Sequence, residues 1–132
     1  MQIAKRNDWK TEPMPFISTN ITLEKVYSQE EFNRIAAGVI PEQMEDKWFI
    51  FYEAPWLYLH RSWTGFCIFK VCFEMVTEGV KITQVQVNRD AAQYSNTDDE
   101  GDASMLEILL DSQVERDVRN QMLGYIKGQS TN

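Results

Sequence analysis

Polar and apolar positions alternate in distinct rhythms along the chain, and each rhythm predicts an element. Residues 1–20 carry Pro13 and Pro15 and few periodic apolar positions, which predicts an extended arm or a strand-like lead-in, held down by Trp9 and Phe16. Phe32, Ile35 and Ala36 then recur at helical spacing. Ser28 with Glu31 three residues later forms a capping box ahead of them, and Gly38 and Pro41 close this short helix. From residue 47 the pattern changes. Segments 47–53, 56–61, 67–76 and 80–89 are rich in aromatic and β-branched residues and read as strands. Their connections, Ala54-Pro55, Ser62-Trp63-Thr64-Gly65 and Thr77-Glu78-Gly79, are too short for crossovers, so the four strands form an antiparallel meander.

Loop length sets the expected register. With Ala54 and Pro55 at the first tip, Phe51 faces Tyr58 and Phe49 faces His60. A four-residue second loop sets His60 opposite Cys67 and Tyr58 opposite Phe69. A three-residue third loop, with Gly79 at positive φ, aligns Phe73 with Thr83 and Val71 with Val85. One face then carries Phe49, Phe51, Tyr58, Cys67, Phe69, Val71, Phe73, Met75, Val85 and Val87, and reads as core. The other is mixed: Trp48, Ile50, Tyr52, Leu57, Leu59 and Ile68 beside Arg61, Lys70, Glu74, Gln84 and Gln86. In this register His60 points inward and Arg61 outward. A slip of one residue in either loop exchanges the faces beyond it.

The C-terminal part is helical. Ser104 with Glu107 makes a second capping box before Leu106, Ile108, Leu109 and Leu110, and Ser112 with Glu115 repeats it. The segment therefore reads as one helix, or as two with a break near Asp111. Val114, Val118, Met122 and Tyr125 continue the helical spacing, Glu115 and Arg119 form an i,i+4 pair, and Gly128 is the expected stop. The predicted class is α+β: a four-stranded antiparallel meander with a short N-terminal helix and a C-terminal helix or helix pair on one face. The arm spans 1–20 and a single domain 21–128.

Composition narrows the function classes. The chain has 132 residues, room for one domain, with 43% hydrophobic and 25% charged residues, which is globular rather than disordered. Its net charge of −7 argues against nucleic-acid backbones and anionic membranes and suits a basic protein partner or simply solubility. No apolar run is long enough to span a bilayer, and 1–10 lacks the apolar centre of a signal peptide. Cys67 and Cys72 stand five apart in one strand, so parity sets them on opposite faces, unbridged, as suits a reducing cytoplasm. No cofactor motif is present in the sequence.

The densest chemistry is His60-Arg61-Ser62-Trp63-Thr64-Gly65, at the tip between the second and third predicted strands. Arg61 suits a carboxylate or phosphate, Trp63 suits stacking, and the Ser62 and Thr64 hydroxyls suit orientation of a ligand. His60 is the one candidate acid or base, with Cys67 across the hairpin as a candidate nucleophile. Against these stands the reading of a well-made turn, in which Ser and Thr bond their own backbone and Gly65 supplies a positive φ. Lys47-Trp48-Phe49, Glu53, Leu57-Tyr58-Leu59-His60-Arg61-Ser62-Trp63-Thr64-Gly65 and Cys67-Ile68 together resemble a block carried by small bacterial proteins of unassigned activity. The block also resembles a segment accompanying some ADP-ribosylglycohydrolase-type enzymes. The resemblance covers residues 45–76, and the Asp/Glu metal constellation of such hydrolases is absent from 1–44 and 90–132. It implies an accessory module.

Asn96, Asp98, Glu100 and Glu107, with Gly101 at the turn, resemble a calcium-binding EF-hand loop. Asn96 replaces the leading Asp and Glu100 is longer than the usual ligand, so the competing reading is a solvated acidic loop before a capped helix. Trp9, Trp48, Trp56, Trp63, Tyr52 and Tyr58 exceed what one sheet face hides. Either both faces are covered or part of the surface contacts a partner or a second copy. The resulting expectation is a non-catalytic, cytoplasmic bacterial domain that binds a protein or small ligand near Trp48, His60, Arg61, Ser62, Trp63 and Thr64. The alternative is an enzyme or accessory domain for a nucleotide or ADP-ribose-like ligand.

Overall fold

The computed structural model describes residues 3–130, with side chains as far as Glu115. In chain order it contains β1 (Ser18–Ile21), β2 (Val26–Tyr27), α1 (Gln29–Ala37), β3 (Trp48–Glu53), β4 (Trp56–Arg61), β5 (Cys67–Val76), β6 (Gly79–Asn88) and α2 (Asp99–Ser130). The class is α+β, with an antiparallel sheet of six strands rather than four. β3 to β6 are the expected meander, and β1 and β2 both add to the outer edge of β6. The first twenty residues are thus not only an arm. Their last three already belong to β1, because β6 offers a row of backbone groups that needs partners. Four strand residues are too few for alternation to announce itself in the sequence.

The first hairpin has the expected register, with Phe49 opposite His60 and Phe51 opposite Tyr58. The second does not keep its register. His60 faces Cys67, but Leu59 faces Phe69 and Tyr58 faces Lys70, so Ile68 is an extra residue in β5. A second bulge lies in β6. Thr77 and Glu78 make a two-residue turn, with Gly79 at a φ of 149°. Phe73 then meets Ile82 instead of Thr83, and the extra Thr83 restores Val71 opposite Val85.

These bulges reassign the faces. Ile50, Leu57 and Leu59, expected on the mixed side, share one core with Phe69, Val71, Phe73, Val85 and Val87. Phe32 and Ile35 of α1 and Leu106 and Leu110 of α2 complete that core, so both helices cover the same face. Phe49 and Phe51 leave it for a smaller cluster on the opposite face, closed by Ala4, Ile40 and Tyr58. Met75, expected in the core, is 69% exposed near the hairpin end. The same bulge brings Cys67 to the side of Cys72. Both thiols are nevertheless free, since the strand residues between them separate them by more than ~10 Å.

Local signals explain α1 well. Ser28 Oγ accepts from the Glu31 N–H at 3.1 Å, the Glu31 carboxylate accepts from the Ser28 N–H at 2.8 Å, and Gly38 ends the helix at a φ of 75°. A Cβ on Gly38 would run into the Ile50 carbonyl, so only glycine lets the chain pass β3. α2 departs from expectation. It is one helix that begins five residues before Ser104 and continues past Gly128. Ser104 and Ser112 therefore sit inside it, and Ser112 Oγ donates to the Leu109 carbonyl at 2.7 Å. The expected contacts of Val118, Arg119, Met122 and Tyr125 lie outside the described residues. The start of α2 is held by Arg89, which pairs with Asp99 and with the fully buried Asp102, both at 2.6 Å. Tyr94 Oη at 2.5 Å and Asn96 Nδ2 at 2.8 Å donate to the same Asp102 carboxylate.

Urea denaturation checks the face assignment. Leu59→Ala should lower stability by about 2–5 kcal/mol, the range for truncating a buried leucine. Met75→Ala should change it by no more than about 0.5 kcal/mol. Comparable losses at the two positions would contradict this packing.

Candidate functional site

The tip between β4 and β5 is built by three separate segments. Arg61 N–H donates to the Phe66 carbonyl at 2.9 Å, and Gly65, at a φ of 81°, donates its N–H to the Arg61 carbonyl at 2.8 Å. The loop before β3 buttresses one side. Ser62 N–H donates to the Lys47 carbonyl at 2.9 Å, and Ser62 Oγ donates to the Asp46 carbonyl at 2.6 Å. The N-terminal segment buttresses the other: Trp9 Nε1 donates to the Ser62 carbonyl at 2.6 Å and Glu12 N–H to the Gly65 carbonyl at 2.8 Å. Ser62 is buried and serves the scaffold, not a ligand. Thr64 is exposed, and its Oγ1 accepts from the Phe66 N–H at 3.3 Å.

His60 and Arg61 point to opposite faces, as loop parity predicts. His60 is 1% exposed and stacks on Phe51, with ring centroids 5.5 Å apart. Its Nδ1 lies 2.8 Å from the Gly65 carbonyl, an acceptor only, so Nδ1 carries the proton and Nε2 is the bare lone pair. No polar partner reaches Nε2 among the described residues. Burial holds the imidazole below its ordinary range; the Gly65 hydrogen bond opposes this, and the Arg6 charge reinforces it. Burial likewise pushes the Cys67 thiol up to about 12, and that thiol donates to the Phe69 carbonyl at 3.6 Å. A neutral, enclosed imidazole beside an un-ionised thiol is a poor acid/base and nucleophile pair.

The N-terminal segment forms the lid over this cluster. Ala4 N–H donates to the Ala37 carbonyl at 2.8 Å. The Arg6 guanidinium lies 4.8 Å from the Phe51 ring and 4.8 Å from the Tyr58 ring. It binds Glu53 through two hydrogen bonds, at 2.8 and 3.0 Å, which hold the Glu53 carboxyl below its usual range. The aromatic excess is thus divided between two covered faces.

What the tip leaves outside is Trp63. It is 57% exposed, yet its Nε1 donates to the Met44 carbonyl at 3.0 Å and Lys47 Nζ stands 4.5 Å from its ring centroid. Met44 is 70% exposed and Trp9 39%. The indoles of Trp9 and Trp63 each bond a main-chain carbonyl at this tip, that of Ser62 and that of Met44. Met44 lies in a connection without periodicity, where no sequence signal pointed, and Lys47, expected to open the first strand, lies just before β3. Arg61, on the helix-covered side, lies over the Trp48 ring at 4.4 Å, and no carboxylate pairs with it among the described residues.

The four residues of the calcium-like motif do not converge. Glu100 and Glu107 both lie within α2, and Glu107 is occupied by Lys25 Nζ at 3.0 Å. Asn96 turns its Nδ2, a donor, toward Asp102. Among the described residues no group of three or more His, Cys, Asp or Glu side chains is placed to hold a metal ion. No helix among them is long and apolar enough to cross a membrane. Comparison with protein-family models, with curated proteins and with solved structures finds no match to the chain.

His60 makes stability depend on pH with a definite sign. Its folded value is lowered below 6.5, so as pH falls the unfolded chain binds the proton first. Stability is full above about pH 6.5 and falls below it, by at most about 1.4 kcal/mol per pH unit, until the folded imidazole protonates too. His60 is the one histidine in the chain. Urea midpoints between pH 7.5 and 5.5 should therefore decline in the wild type and flatten in His60→Leu. A decline of equal slope in both proteins would assign it to other groups.

Proposed function

We propose that this chain is a non-catalytic binding domain that docks a protein partner through Trp63. One observation carries the reading: Trp63 is held in place by its indole N–H and by Lys47, yet more than half its surface faces solvent. A fixed aromatic loses little entropy on binding and makes a strong interface anchor. As a turn stabiliser alone it would be expected to fold onto the sheet. The burial of His60 supports a binding role over acid/base chemistry, since a general acid must reach the atom it protonates. The net charge of −7 supports a basic partner over a nucleic acid. Two free cysteines suit a reducing compartment such as a bacterial cytoplasm.

A second reading rests on a different residue. The Arg61 guanidinium lies against Trp48 without a carboxylate partner among the described residues, an arrangement that suits a carboxylate or phosphate on a nucleotide or ADP-ribose-like ligand. Thermal-shift titration separates the two. ADP-ribose present at 100 times its dissociation constant would add about 2.7 kcal/mol of stability, a gain that Arg61→Ala would abolish.

The protein-docking reading predicts that Trp63→Ala changes folding stability by less than about 1 kcal/mol. Proteins retained on the immobilised wild-type chain should be lost from the variant. A loss of about 3–5 kcal/mol, the range for truncating a buried aromatic, would return Trp63 to a structural role. Identical retention by both proteins would remove it as the anchor.

A further inference from the structure

The β3 edge of the sheet is bridged at its middle, whereas the β1 edge is open. On β3, Val39 exchanges two hydrogen bonds with Ile50, at 2.9 and 3.0 Å, and so closes the middle of that edge. The outer edge of β1 has no partner strand among the described residues. Its direction follows from one bond: Arg89 N–H donates to the Ile17 carbonyl at 2.9 Å. Alternation then turns Ile17, Thr19 and Ile21 toward β6, and points the backbone N–H and C=O of Ser18 and Asn20 away from the sheet. Natural edges usually carry charges that prevent further pairing. Residues 13–23 contain none.

Beside this edge α2 runs along the path of the chain from Asn20 to Tyr27. Asp99, Glu100 and Ala103 wall a groove of about 290 Å³ against Asn20–Thr22. Asp111 and Glu115 wall another of about 330 Å³ against Lys25–Tyr27. Between them Glu107 is bound by Lys25. The positions 99, 103, 107, 111 and 115 follow one another at i,i+4 spacing and form a stripe that winds by about 40° around the helix at each step. Among the described residues Lys25 pairs with its Glu107 and Asp111, and Arg89 with its Asp99.

We infer that the β1 edge is a docking site for an extended, basic segment of another protein, which adds as a further strand and sets Lys or Arg side chains against the acidic stripe of α2. Main-chain hydrogen bonds to Ser18 and Asn20 supply the pairing, and the stripe supplies the preference for positive charge. A second copy of this chain is a poorer occupant. Two-fold pairing of β1 with β1 would set two acidic stripes face to face. This surface is separate from the Trp63 tip.

The test uses the full chain and a fluorescent ten-residue peptide of alternating lysine and valine, with a glutamate-for-lysine version as control. The lysine peptide should bind, weaken as salt is raised, and exceed the glutamate peptide at least tenfold. It should slow hydrogen exchange at the Ser18 and Asn20 amides. Asn20→Pro removes the outward N–H together with the exposed side-chain bond from Gln84 Nε2 at 3.3 Å, so it should weaken binding at least tenfold while the chain stays folded. If that variant does not fold, Ser18→Pro serves the same purpose. Glu100→Lys should also weaken binding, and Trp63→Ala should leave it intact. Binding that survives a folded proline variant, or that disappears in Trp63→Ala, would overturn the assignment. So would a dimer of the free chain that Asn20→Pro disperses.

Discussion

Two extra residues in the sheet, Ile68 in β5 and Thr83 in β6, determine which side chains meet across it. A strand presents alternate residues to alternate faces, so one inserted residue moves everything beyond it to the other side. Without the step at Ile68, Phe69, Val71 and Phe73 would continue the face of Phe49 and Phe51. The helices would then meet Lys70, Cys72 and Glu74. With it, these three large residues line up with Leu57 and Leu59 on the face that Leu106 and Leu110 cover. The second step returns Val85 and Val87 to that core while Val80 and Ile82 stay in it.

The opposite face inherits a problem from this arrangement, and the N-terminal segment resolves it. Phe49, Phe51, Tyr58 and His60 make an aromatic cluster too small to support a second layer of helix. A strip of chain is enough. Ala4 packs on it, Arg6 spreads a guanidinium over two of its rings, and Glu53 neutralises the charge outside. The same strip continues to the β4–β5 tip, where Trp9 and Glu12 bond the turn. A well-braced tip is what gives an exposed Trp63 a fixed position. The surface feature and the covered aromatic cluster are thus two consequences of one path of the chain.

Charge is distributed unevenly around this scaffold. Buried carboxylates are satisfied: Asp102 by Arg89, Tyr94 and Asn96. Further along α2, Lys25 bridges to Glu107 and Asp111. Tyr27 Oη donates to Asp111 at 3.0 Å, and its phenol is pushed well above its usual range by burial first and by that carboxylate second. α2 is therefore tied to the β2 end by a small polar knot and to the β6 end by Arg89. Its first turns are fixed relative to the strands.

Local rules were sufficient for the four long strands, the first hairpin, the capping box at Ser28, the turn glycines and the opposed directions of His60 and Arg61. Each depends on residues close together in sequence, where turn length and periodicity carry the information. The same rules located the tip but could not separate its buried members, His60 and Ser62, from the exposed Trp63. Burial there is set by residues 4–12 and 43–47, distant in sequence. Face assignment failed for the same kind of reason. A bulge leaves no mark in the hydrophobic pattern of a strand whose both faces are apolar, as in Cys67-Ile68-Phe69. Only packing against α1 and α2 selects the register. The short strand β1 and the early start of α2 likewise depend on partners, an open β6 edge and the Arg89 cluster, that exist only once the chain has folded.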